Sequence, residues 1–447
     1  NKATVMRYSG GAGSGWEIVE MRGFSGSTIA HPNLVLSSDD VPYLDYTDYA
    51  NGLKASLMIY DPTPPGPVIC NASGSGSWSA VTSHCQAGDT IVIPAGMTVV
   101  LDSDIELTGD FEIQGTLDAN NKTVTLSGSG DQTLTGPALN FYRLTINKTN
   151  KTDTVYIVGK LKVSRKLSIA RGKLRSASDY VDVEILVDGT LELSSDITVG
   201  GDWTNDGSLI ANTYTVTFDG AALQTLGGSA PTAFYNLTIA PGASVFMATL
   251  PTAGGSVTNE GTISQTMTLT GSGAPVSFLQ ISTDKYRGVD ITTTDNLGVV
   301  SVTVRGNAAD CTGDPASPPD RLRCFRVDVE TSDFYQADMT FYSTAAEDII
   351  TNDTVYQYYA AFGFWADVGT SGCGAAPGEP CTADGVTLDV GPNHFVIGDV
   401  DESPTAINLR GVRASAGQAG ERPFLAALLV LMGLMVGTAV YRKPARG

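Results

Sequence analysis

Carboxylates are the most plentiful reactive side chains in this sequence, and they cluster. Asp102, Asp104, Glu106 and Asp110 form one group, and Asp188, Glu192, Asp196 and Asp202 form another. Two carboxyl groups facing each other at about 5–10 Å can hydrolyse a glycosidic bond, one as acid and the other as base or nucleophile. Such a site is built once, and burial or a like-charged neighbour raises one of its pKa values there. Here the acids repeat, because Asp104 and Asp110 return as Asp196 and Asp202. Aspartate also caps its own backbone at turns, so these positions are expected to serve recurring corners. No catalytic residue is assigned. His84 is a lone candidate base, but it stands beside Cys85 and is expected to be a loop residue.

Metal chemistry has two possible sources. The densest oxygen clusters, Ser37-Ser38-Asp39-Asp40 and Asp399-Val400-Asp401-Glu402, could attract calcium. Neither has the spacing of an EF-hand or of the Gly-Asp calcium repeat, so calcium stays a possible cofactor without assigned ligands. Zinc is disfavoured, since there is no C-x-x-C and the histidines His31, His84 and His394 are scattered. The six cysteines instead fall as three close pairs, Cys70/Cys85, Cys311/Cys324 and Cys373/Cys381. Three local disulfides are one of about 15 connectivities, and the short spacing selects it. The run Tyr356-Gln357-Tyr358-Tyr359-Ala360-Ala361-Phe362-Gly363-Phe364-Trp365 could stack on sugars, but strand alternation predicts that it enters a core. The N-x-S/T sites at Asn71, Asn121, Asn147, Asn150, Asn236 and Asn352 read mainly as turn chemistry in a Thr- and Asn-rich β protein.

The elements that hold these residues follow from composition. A chain of 447 residues has room for two to four domains at about 100–200 residues each. Its 50 glycines show no G-X-Y period, which excludes collagen, and 17% charged residues are too few for a charge-rich disordered chain. Triplets such as Thr-Val-Thr and Leu-Thr-Ile predict strands and turns. A net charge of -20 provides no basic stripe for a phosphate backbone, so nucleic acid is not an expected partner.

The C-terminus points to a lipid bilayer. Residues 424–441, beginning at Phe424 and ending at Tyr441, read FLAALLVLMGLMVGTAVY without a charge. As a helix they would span roughly 27 Å, near the thickness of a bilayer core. Arg442 and Lys443 follow, which places the tail in the cytoplasm and everything before the span outside. Gly433 and Gly437 make a GxxxG, a weak signal for helix pairing. Residues 401–423 read as a tether. Tether, apolar span and basic tail together resemble the C-terminal anchors of bacterial surface proteins. There is no LPxTG, and Glu421-Arg422-Pro423 is a poor match to a Pro-Glu-Pro sorting signal, so a retained anchor is expected.

Repeats organise the remainder. Lys2-Ala3-Thr4-Val5-Met6 returns as Lys54-Ala55-Ser56-Leu57-Met58, with GWEIVEM, LVLSS and VPYLDYTD between. Residues 1–62 resemble one blade of the β-propellers of bacterial surface proteins, which have about four strands per blade. Since the chain begins mid-repeat, it is expected to be the C-terminal part of a longer protein. A second period starts at Leu101: LDSDIELTGDFEIQGTLDANNKTVTLSG matches LSSDITVGGDWTNDGSLIANTYTVTFDG from Leu193, and a shorter copy starts at Ser256. Phe141-Tyr142-Arg143-Leu144-Thr145-Ile146 likewise returns from Phe234. Short strands about every ten residues, with Gly, Asn or Asp between them, predict a parallel β-solenoid over 69–271, on the order of nine coils. GDTIVIPAGMTVVLDSDIELTG resembles the first coils of right-handed β-helix domains in secreted bacterial proteins. Some of these are polysaccharide lyases or hydrolases, but the Asp-Asp pair and Gly-His-Gly of β-helix pectinases are missing from the solenoid. Residues 275–400 lose the period and read as a β-sandwich.

The expected architecture is therefore all-β: a right-handed parallel β-solenoid with an N-terminal propeller-like blade fragment, a C-terminal β-sandwich and one transmembrane helix. The expected role is structural display or adhesion at the cell surface, with the bilayer as one partner and surface polysaccharide or another cell as a possible second. The rival reading is an anchored β-helix enzyme acting on polysaccharide. A receptor ectodomain is disfavoured by the very short tail.

Overall fold

The structure is a computed structural model of the 447-residue chain. It describes strands at 5–8, 16–19, 29–36, 42–48 and 54–59, all of 68–306, and 321–399 apart from short stretches at 332–334, 345–352, 361–362, 370–372 and 374–378. The tether, the apolar span of 424–441 with Phe424 and Tyr441, and Arg442 and Lys443 lie outside the described residues. So do 37–40, Cys311, Asp401 and Glu402. Among the described residues no helix is long and apolar enough to cross a membrane. The fold is all-β with almost no helix, and it contains a parallel β-solenoid of about 10 turns. The chain divides into two compact units, one of 1–238 with 248–257, the other of 239–247 with 258–447.

In the first unit the N-terminal strands pair antiparallel, Val5–Tyr8 with Trp16–Val19, and Ile29–Leu36 with Pro42–Asp48 and then Lys54–Ile59. Beyond residue 68 the pairing becomes parallel. Ile105 stands on Val124, Val124 on Leu144, Leu144 on Leu167, Leu167 on Val183 and Val183 on Trp203. A second column runs through Leu107, Leu126, Ile146, Ile169 and Ile185 to Asn205. The period of two in a strand sends these alternate apolar residues inward and the intervening threonines outward, which is why Thr-Val-Thr and Leu-Thr-Ile recur. The two copies superpose in register. Phe111 and Trp203, both buried, each stack on a leucine of the following coil, Leu134 and Leu226.

Close stacking sets the requirement for glycine at one place in particular. Gly136 pairs with Gly159, whose φ is 134°. A Cβ on Gly159 would lie 1.7 Å from the Gly136 carbonyl oxygen, so no side chain fits there. Charge is also arranged by coil. Strand Thr154–Ser176 carries Lys160, Lys162, Arg165, Lys166, Arg171, Lys173 and Arg175, while its neighbour Asp179–Leu193 is acidic. Arg165 pairs with Asp182 at 2.9 Å, Lys166 with Glu184 at 2.9 Å and Lys173 with Glu192 at 3.2 Å. Exposed pairs of this kind contribute about 0–1 kcal/mol each, so they specify register more than stability. Burial raises the Glu184 carboxyl, but hydrogen bonds from Lys166 and Ser168 outweigh it and hold the group below its ordinary range.

One cation is internal. Lys148, 1% exposed, donates from Nζ to the Ser127 carbonyl and to Gln132 Oε1, each at 2.5 Å. Burial lowers its pKa below 10.5, against the opposing pull of Asp153, Asp131 and Asp110. At this group the unfolded chain then holds more protons, so the contribution of Lys148 to stability rises with pH between its folded value and 10.5. Lys148→Met should abolish that rise and cost about 1–3 kcal/mol, since two buried acceptors lose their donor. Denaturation midpoints of both proteins across alkaline pH check this; a difference between the two that stays constant with pH would refute it.

In the second unit, strand Thr262–Leu269 is parallel to Ser244–Met247 and antiparallel to Gly298–Arg305, so the last parallel strand is also the first of an antiparallel sheet. That sheet continues through Arg321–Val329, Gly391–Asp399, Asp353–Tyr359 and Phe364–Asp367. A second antiparallel sheet holds Val276–Phe278, Val289–Thr292, Tyr335–Phe341 and Cys381–Leu388. Phe341 of the second sheet meets Phe325 and Phe395 of the first at 5.0 and 5.2 Å between ring centroids. Tyr356 and Trp365 are buried with Cys324 and Val396, and Tyr358 packs against them, so this much of the aromatic run is core.

Disulfides join Cys70 to Cys85 and Cys373 to Cys381. Cys324 is also disulfide-bonded, with its partner outside the described residues.

Candidate functional site

The acids singled out from the sequence are engaged along the solenoid. Asp104 accepts a hydrogen bond from the Thr123 backbone N–H at 2.8 Å, and Asp196 accepts the matched bond from Thr215 at 2.8 Å. Asp110 accepts from Thr133 N–H at 2.7 Å, as Asp202 does from Thr225 at 2.7 Å. Each carboxylate thus satisfies an N–H of the next coil that a corner would otherwise leave unpaired. Other matched pairs behave alike. Gln132 and Gln224 each donate to two carbonyls of the preceding coil, and Asn120 and Asn212 donate to Leu101 and Leu193.

The unmatched acids are also engaged or simply exposed. Asp102 accepts from the Ser79 hydroxyl, which holds its carboxyl below the ordinary range. Glu106 is exposed, Asp188 faces Arg171 at 3.9 Å, and Glu192 lies between Lys173 and Arg175. None of these eight acids lines the groove described below.

For a metal, the one group among the described residues with three His, Cys, Asp or Glu ligand atoms within 4.8 Å of one another is Cys70, His84 and Cys85. The disulfide occupies both sulfurs, so the thiolates that zinc requires are absent from this state. His84 Nε2 lies 3.0 Å from the Asn71 carbonyl oxygen and 4.0 Å from Cys85 Sγ, and the ring sits in an exposed loop.

The feature that sequence reasoning missed is a groove of about 610 Å³ on the solenoid flank. Its wall is a turn. Asn120 and Asn121 both have positive φ, 43° and 59°, which asparagine tolerates better than most residues. The Lys122 N–H closes the turn on the Ala119 carbonyl at 2.7 Å, and Asp118 braces it by accepting from the Asn120 N–H at 2.9 Å. On the next coil, strand Gln132–Asn147 runs straight through, so Asn140 and Tyr142 lie beside the turn. The coil after that, Thr154–Ser176, adds Lys162, in register with Asn140, and Ser164.

Lys162 is the one cation that lines the groove. Its register partner on the far side is Asp179, but that carboxylate accepts from Thr198, through its hydroxyl at 2.8 Å and its N–H at 3.3 Å. Exposed Lys162 makes no ion pair or hydrogen bond of its own among the described residues. Beside it, the Arg143 guanidinium stacks on the Tyr142 ring at 4.9 Å. The groove contains a single acid, Asp118.

The groove is repeated only in part: Asn120 and Tyr142 return in the second copy as Asn212 and Tyr235. In the second copy Asp118 and Asn140 become Ile210 and Ala233, and Thr252 takes the register position of Lys162. Two signals were present in the sequence: this departure between otherwise matched copies, and seven basic residues concentrated in 160–175 of an acidic chain. Compared with known protein families, curated proteins and solved structures, the chain matches none.

Proposed function

We propose that this chain is a cell-surface display or adhesion protein whose solenoid serves as a stalk and binding surface. In this reading residues 1–62 are a propeller-like blade fragment and 275–400 a membrane-proximal β-sandwich. The tether 401–423 leads to a span at 424–441 that holds the chain in the bilayer with its bulk outside. Disulfides in both units fit an oxidising, extracellular setting. The single observation that carries the non-catalytic part is the use of Asp104, Asp110, Asp196 and Asp202 as matched caps between coils. A glycosidase needs two carboxyl groups converging on one bond, and the groove offers one.

The test is a hydrolysis and elimination screen of the purified chain against acidic and neutral polysaccharides, with and without calcium. No turnover is expected. Asp104→Asn and Asp196→Asn should each cost less than about 0.5 kcal/mol, because the amide oxygen still accepts the same N–H, whereas alanine should cost about 1 kcal/mol. Robust turnover abolished by either asparagine variant would replace the stalk reading with the enzyme.

A further inference from the structure

We propose that the groove between the 118–122 turn and the two following coils binds an acidic polysaccharide, with a sugar ring on Tyr142 and an anionic substituent on Lys162. This rests on the reading of the solenoid as a non-catalytic surface.

Size comes first: about 610 Å³ lies within the usual range for ligand sites. Chemistry comes next. Asn120, Asn121, Asn140 and Ser164 offer both donors and acceptors, the mixture that sugar hydroxyls need. The Arg143 guanidinium lies over one face of the Tyr142 ring, so it is the other face that supplies an apolar surface with a polar tip for the C–H side of a pyranose.

Charge then selects among saccharides. The protein carries a net charge of -20, so an anionic ligand is repelled from most of its surface. Within the groove the balance is local. Asp118 has one oxygen committed to its own turn, and the cation at the other coil is free because Asp179 is turned to Thr198. Arg165, Lys166, Lys173 and Arg175 on the same strand are neutralised by the acidic coil, and Lys162 is not. The departure of Asp118, Asn140 and Lys162 from the internal repeat agrees with a role other than building coils, since Ala233 and Thr252 still pair in parallel at two of these places in the second copy.

The experiment is calorimetric titration of the full chain with oligogalacturonate, a sulfated glucan oligosaccharide and a neutral glucan oligosaccharide of equal length, at low and high salt. At least one acidic oligomer should bind about tenfold or more tighter than the neutral one, and high salt should weaken it. A carboxylate-only or sulfate-only response identifies which acid the groove takes. Lys162→Gln and Tyr142→Ala should each weaken binding about tenfold, with Tyr142→Phe close to wild type. Lys160→Gln removes the same charge from the same strand outside the groove and should change affinity less than about twofold. Equal binding of neutral and acidic oligomers, equal loss in Lys160→Gln and Lys162→Gln, or no binding of any of them would overturn the proposal. Reducing-end and unsaturation assays on the same mixtures separate the two readings. Cleavage would overturn the non-catalytic role while leaving the groove as the site, and absence of binding would overturn the groove while leaving the stalk.

Discussion

Trp203→Ala is expected to lower the unfolding free energy by about 3–5 kcal/mol, the largest effect of any single side-chain truncation in the solenoid. Trp203 is 0% exposed and stands between Val183 and Leu226 of the adjoining coils. Its ring lies 5.6 Å from that of Phe234 and 6.4 Å from that of Phe218, and Nε1 donates to the Thr232 hydroxyl at 3.2 Å. Alanine would leave a cavity that the parallel coils cannot close, because each is held in register by its neighbours on both sides. Trp203→Phe should cost only about 1–2 kcal/mol, chiefly for lost volume and the lost bond to Thr232, since Phe111 fills the matched position in the first copy. Urea unfolding with hydrogen exchange is the measurement. In a quasi-one-dimensional stack the newly exchanging amides should centre on the coils around 183–226. A loss below about 1 kcal/mol for the alanine variant would show that the inward column is not the core it is taken to be.

The second large effect is at the start of the stack. Cys70 pairs in register with Ile91, and its disulfide to Cys85 closes a loop with a sequence separation of 15. Within that loop the short helix Trp78–Val81 buries Val81 and sets the Trp78 ring edge-on to Phe111 at 5.8 Å. A loop of this length predicts about 3 kcal/mol from restriction of the unfolded chain. The Cys70→Ala/Cys85→Ala double variant should therefore lose roughly that amount, and its first coils should exchange before the rest. End coils have a neighbour on one side only, so they depend most on such a staple. An unchanged denaturation midpoint would refute this, and peptide mapping that found free thiols at Cys70 and Cys85 in the native protein would refute the pairing itself.

The sequence alone determined most where the structure is periodic. A parallel coil repeats the same local problem at each turn, so Asp104 and Asp196, Asn120 and Asn212, and Phe111 and Trp203 reappear at fixed intervals and declare their roles together. Cys70 with Cys85 and Cys373 with Cys381 were legible for a related reason: short loops close locally. Tertiary structure decided what depends on residues from different coils. Asn140 and Lys162 are neighbours only because two long strands run in register, and Asp118 reaches the same groove only because its turn has no counterpart on the next coil. Whether a lysine is free depends likewise on where a carboxylate of the neighbouring coil is held, as Asp179 is held by Thr198. The sharing of Thr262–Leu269 between parallel and antiparallel partners had no sequence signal either, because a strand alternates in the same way whichever direction its neighbour runs. Periodicity along the chain determined the coils and their corners; adjacency between coils, which no local pattern encodes, determined the groove.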